Sequence, residues 1–200
     1  LKNSIDQLVT SLGTLDELAG TVEYDGSTQD VLADAYYNLE IDQSGVKSQA
    51  SGTMTVAGTM TVQSAATYAL DTRDITVTGT TTSPGITRIS TGTYTASGET
   101  DFSNGTLSIT STGIYDANNN FDATGGTVEF TGTGGILKLG GATVSSIGST
   151  FTHGTGTVEY DYAGNQTVKS RNYYNLEIDD PGFLKGWLLK VKVFNLKNEE

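Results

Sequence analysis

Cysteine is absent from this chain, which excludes disulfides, thiolate chemistry and sulfur cages for metals. No run of 18 apolar residues occurs, so no transmembrane helix is encoded. Basic side chains are scarce: 11 Lys and Arg stand against 23 Asp and Glu, for a net charge of −12. The basic stripe that a nucleic acid partner requires is therefore missing. The single histidine, His153 in THGTG, has no motif partners for a zinc site or a catalytic triad and reads as a turn residue. The strings GTGG at 132–135 and LGG at 139–141 are followed by no GK[ST], so they read as turns and not as phosphate cradles. Leu1 is no initiator, and the chain is expected to follow a removed leader or to sit within a longer protein.

What is plentiful is threonine, which outnumbers even the 25 glycines, while prolines number only two. Threonine is stiff at χ1 and suits a pleated surface, while glycine serves tight corners. Together they describe many short strands joined by many turns. From residue 20 onward apolar side chains recur at every second place, as in 21–24 TVEY, 53–56 TMTV, 59–62 TMTV, 93–96 TYTA, 127–130 TVEF and 136–139 ILKL. Residues 1–168 carry 18 acids and five bases, whereas 169–200 carry six bases and five acids. That asymmetry gives an acid-rich body and a near-neutral tail.

One string occurs twice. Residues 20–42 read GTVEYDGSTQDVLADAYYNLEID and 156–179 read GTVEYDYAGNQTVKSRNYYNLEID, with a partial copy, GTVEF, at 126–130. Such repetition points to stacked similar units. The expected fold is all-β: a parallel β-solenoid (β-helix) of about seven coils of roughly 20–25 residues, with a β-sandwich as the alternative. Three segments follow. Residues 1–19 form an N-terminal cap or lead segment, with helix-like apolar spacing over 5–18. Residues 20–180 form the solenoid body. Residues 181–200, which change style after Asp179-Asp180-Pro181-Gly182, hold a terminal strand that closes the body, opens a further domain or adds to a neighbour's sheet edge.

The repeated close, Tyr37-Asn38-Leu39-Glu40-Ile41 and Tyr174-Asn175-Leu176-Glu177-Ile178, together with SGTMTVAGTMTV, resembles the Thr/Gly-rich repeats of secreted bacterial adhesin-like surface proteins with parallel β-helices. The likeness covers about 20–180. It implies an extracellular or cell-surface location and a structural or adhesive role, with no catalytic residue to carry over.

The residues therefore suggest a non-catalytic subunit that self-assembles into a surface fibre, sheath or layer. Its partners would be copies of itself, met through Trp187, Leu189, Val191, Val193 and Phe194 and through the outward tyrosines Tyr37 and Tyr174. A carbohydrate-binding adhesin module is the alternative, with the outward rings stacking on a surface glycan. A polysaccharide-degrading enzyme ranks third and would need acids gathered around Arg73, Arg88 or Lys138. The pairs Glu23/Asp25 and Glu159/Asp161 share a face but recur as copies, which argues against a glycosidase pair. No cofactor is called for beyond weak structural calcium at loop acids such as Asp71/Asp74, Glu99/Asp101, Asp116/Asp122 and Asp179/Asp180; a metal assignment stays open. Rows of outward threonine raise ice binding, but the six-residue interval between the two TMT strings is too short for one coil.

Overall fold

Short alternating strands separated by glycine-bearing corners wind into a three-sided parallel β-solenoid. The computed structural model describes residues 19–179 and 190–194; the 5–18 segment with helical spacing, Asp180, Trp187 and Leu189 lie outside them. The first coil comprises β1 (Thr21–Tyr24), β2 (Gln29–Val31) and β3 (Ala35–Tyr36). The second is β4 (Asn38–Ile41), β5 (Gly45–Gln49) and β6 (Met54–Val56); the third is β7 (Met60–Val62), β8 (Ala66–Leu70) and β9 (Ile75–Val77). The fourth is β10 (Thr81–Thr82), β11 (Ile86–Ile89) and β12 (Thr93–Ala96); the fifth is β13 (Thr100–Asp101), β14 (Thr106–Thr110) and β15 (Ile114–Ala117). The sixth is β16 (Phe121–Asp122), β17 (Thr127–Thr131) and β18 (Ile136–Leu139); the seventh is β19 (Val144–Ser146), β20 (Thr150–Thr152) and β21 (Thr157–Tyr160). First strands stack as sheet A, second strands as sheet B and third strands as sheet C. All these pairings are parallel, which rules out the sandwich. Sheet C continues through β22 (Asn175–Asp179), parallel to β21, and then β23 (Lys190–Phe194), antiparallel to β22.

One register column of sheet A runs Val22, Leu39, Met60, Thr81, Thr100, Phe121 and Val144, one member for each coil. The two TMTV strings are not stacked. The first is β6 on sheet C and the second is β7 on sheet A, either side of one corner. That corner, between sheets C and A, is built from glycine. A Cβ on Gly79 would lie 2.2 Å from the Gly58 carbonyl oxygen, and one on Gly98 would lie 2.1 Å from that of Gly79. Ala57-Gly58, Thr78-Gly79 and Ser97-Gly98 are thus one column of backbones in direct contact. The Asn104-Gly105 pair makes no hairpin; Asn104, at φ 63°, turns the chain from β13 toward β14 on another side.

The inward side chains fill a narrow apolar interior with a hydroxyl seam. Tyr94 and Tyr115, register neighbours on sheet C, stack with ring centroids 4.8 Å apart, a separation equal to the strand spacing. Each ring reaches across to sheet A: Tyr94 OH lies 3.0 Å from Thr81 Oγ1 and Tyr115 OH lies 3.1 Å from Thr100 Oγ1. Tyr68 donates to Gln49 Oε1 at 2.7 Å. Burial is the main force pushing the phenols of Tyr68, Tyr94 and Tyr115 above their usual range, so these rings stay neutral and bonded.

The repeated string does not mark stacked equivalents. Its TVEY strands are β1 on sheet A and β21 on sheet C, and the partial copy is β17 on sheet B. Among the described residues the two full copies lie near opposite ends of the stack, the first running from β1 to β4 and the second from β21, at the close of the seventh coil, to β22.

Candidate functional site

The outer row of sheet C changes character along its length. Thr55, Thr76 and Thr95 succeed one another in register, followed by Asp116, Lys138, Glu159, Glu177 and Lys192. The threonine row is therefore three coils long before a carboxylate ends it, and of the two TMT strings only the first, through Thr55, contributes to it. An ice-matching face needs a longer uncharged row.

In the charged half, Lys138 Nζ bonds Glu159 Oε2 at 3.1 Å. Glu159 is 8% exposed although it belongs to the outer row. Burial pulls the Lys138 ammonium down, but the bond to Glu159 and the charges of Glu159, Asp161 and Asp116 outweigh it and leave the pKa raised. Burial also pushes the carboxyls of Asp116 and Asp161 up, against the attraction of Lys138. Of the three cations named from sequence, Lys138 is the one the fold sets among acids. Arg73 is spent on the Ala50 carbonyl and the Thr72 hydroxyl. Arg88 stands on the outer face of sheet B, between Ala69 and Ser108 in register. Chemically the sheet C row is a self-compensating ladder on which a salt bridge offsets stacked carboxylates.

The paired tyrosines divide as alternation requires. Tyr36 is buried, whereas Tyr37 and Tyr174 are 39% and 37% exposed. Tyr173 packs edge-on against Phe151, and Tyr174 lies over His153 with centroids 6.3 Å apart. The two outward rings do not form one strip. Tyr37 stands at the corner between β3 and β4 near one end, and Tyr174 precedes β22 near the other. His153 is a turn residue whose Nδ1 sits 2.9 Å from the Gly154 carbonyl.

After β21 the chain makes its next circuit without strands on sheets A and B. Gln166 Nε2 donates to the carbonyls of Leu139 and Gly141, at 2.6 and 2.7 Å, and Arg171 Nη2 donates to Gly148 O at 2.6 Å. Between this segment and sheet C lies a cleft of about 350 Å³, lined by Tyr160, Tyr162, Asn165, Gln166 and Ile178 among others. Among the described residues sheet C alone continues beyond it. In β23, Val191, Val193 and Phe194 take register against Ile178, Leu176 and Asn175, while Lys190 and Lys192 take register against Asp179 and Glu177.

Two polar features escaped sequence reasoning because they break the alternation rule. Lys47 points inward and is fully buried, its Nζ donating to Gln43 O at 2.6 Å and to Ser44 O at 3.4 Å. Burial lowers its pKa, opposed by Asp42 and Asp25. Asp25 Oδ1 and Asp161 Oδ1 are each buried with no hydrogen-bond partner among the described residues. Among the described residues no group of three or more His, Asp or Glu gathers as metal ligands. Asp116 and Asp122, grouped from sequence as calcium candidates, lie on different sheets, C and A. No helix of the described residues is long and apolar enough to cross a membrane. No protein-family model, curated protein or solved structure matches this chain.

Proposed function

We propose that this chain is a non-catalytic structural subunit of the cell exterior that associates with copies of itself. The observation that carries the reading is the continuation of sheet C past the last coil by β23, whose outer edge meets no strand among the described residues. An unpaired strand edge is a template for another chain, and strand addition supplies backbone hydrogen bonds without a shaped pocket. The interior gives the same weight, since its tyrosine, glutamine and lysine polar groups bond to the body itself. Deleting 183–200 should abolish association in light scattering while the far-ultraviolet spectrum of the body persists. Unchanged association after the deletion contradicts the assignment.

Glycan binding is a second reading, favoured by the cleft that joins Tyr162 to the amides of Asn165 and Gln166. An aromatic ring beside amides suits a hydroxyl-rich ligand. Loss of glycan-array signal in Tyr162→Ala would support it.

A further inference from the structure

The two full copies of the repeated string share more than sequence. In the first, Asn38 N donates to Gly20 O at 3.0 Å; in the second, Asn175 N donates to Gly156 O at 3.2 Å. Val22, Glu23 and Tyr24 pair with Leu39, Glu40 and Ile41, as Val158, Glu159 and Tyr160 pair with Leu176, Glu177 and Ile178. Each copy is one circuit, from Val22 to Leu39 in the first and from Val158 to Leu176 in the second. Both close in fewer residues than any circuit between them on sheet A, of which Thr81 to Thr100 is the shortest.

Both short circuits carry the same set of tyrosine contacts. Tyr24 OH lies 2.9 Å from Tyr36 OH, accepts from Leu32 N at 3.2 Å, and Tyr36 OH donates to Leu32 O at 2.7 Å. In the other copy Tyr160 OH lies 3.1 Å from Tyr173 OH and accepts from Lys169 N at 3.0 Å, and Tyr173 OH donates to Lys169 O. Two phenols thus hold both backbone groups of the residue that crosses between them. In mid-stack the tyrosines do something else: Tyr94 and Tyr115 bond threonine hydroxyls and stack on each other.

We propose that TVEYD–YYNLEID is a closing coil: a short circuit, clasped by two tyrosines around one backbone residue, that finishes a solenoid stack at either end. The clasp supplies bonds that a neighbouring coil's strand supplies within the stack, where Ala50 N, one coil on from Leu32, donates to Val31 O. Because the unit carries its own clasp, it works from whichever sheet it starts on, which explains why its first strand lies on sheet A in one copy and sheet C in the other. Among the described residues the unit occurs where the regular three-strand coils begin and where they stop.

Native-state hydrogen exchange on Tyr36→Phe, Tyr173→Phe and the mid-stack control Tyr115→Phe tests the proposal. Each phenol lost removes bonds while leaving the ring, so amide exchange should rise about tenfold or more in the affected closing coil. For Tyr36→Phe the rise should fall within 24–38, and for Tyr173→Phe within 160–175, with the fourth to sixth coils unchanged within about twofold. Tyr115→Phe should raise exchange in the middle instead. No rise within 24–38 for Tyr36→Phe or within 160–175 for Tyr173→Phe, a uniform rise along the stack, or loss of the whole fold would each overturn the proposal. A chimera in which 161–172 replaces 25–35 should keep protection of the first coil; loss of that protection while the other coils hold would also overturn it.

Discussion

At the scale of single residues the molecule is governed by what happens to polar groups turned away from water. The tyrosine hydroxyls find partners across the interior, and Lys47 finds two corner carbonyls. Asp161 does not: Oδ1 is buried without a partner among the described residues, and its carboxyl is pushed up by burial, then by the charge of Glu159, against Lys138. A carboxyl whose folded pKa exceeds its unfolded value costs stability when ionised. That cost is full above the folded pKa and disappears as pH falls to the unfolded value of about 3.9. Asp161→Asn should therefore raise the melting temperature by about 1–3 °C at pH 7 and leave it unchanged near pH 3.5. Melting curves of both proteins at the two pH values check this; a lower melting temperature for the variant at pH 7 contradicts it.

At the scale of elements, alternation alone made most strands legible in the sequence: TVEY, TMTV, TYTA, TVEF and ILKL are strands where the pattern places them. Those that escaped have physical reasons. The strands β10, β13 and β16 hold two residues each, too few for a period of two to register. The strand β5 turns Lys47 and Gln49 inward, so its pattern reads as solvent-facing on both sides. The doubled YYNLEID announced one ring in and one out, and Tyr36 and Tyr37 obey. The clasp around Leu32 was not legible, because a bond between a phenol and a distant backbone group leaves no compositional mark. The ladder around Lys138 was hidden for a related reason: Asp116, Lys138 and Glu159 stand a full circuit apart along the chain and meet only through register. The glycine corners were visible as dipeptides, but their role is set by contact between coils. In Gly79→Ala the new methyl would meet the Gly58 carbonyl at 2.2 Å, a backbone clash that no rotamer relieves. A loss of about 2–4 kcal/mol is expected, read from urea unfolding; a loss under about 0.5 kcal/mol, the range of an ordinary surface substitution, contradicts the stacked-corner account.

At the scale of the whole molecule, seven coils of three strands form a body whose sheets end differently. Among the described residues sheets A and B finish at β19 and β20, where Gln166 bonds the carbonyls of Leu139 and Gly141 and Arg171 that of Gly148. Sheet C runs on through β22 and β23, and the register of β23 sets two lysines against Asp179 and Glu177. The near-neutral tail of an acidic chain is thus the part that extends the sheet. The proposed association through that edge is tested most directly by electron microscopy of the untagged protein over a concentration series, with and without calcium. Regular filaments, tubes or sheets that grow with concentration are the expected result, and isolated particles under every condition would contradict the structural-subunit account.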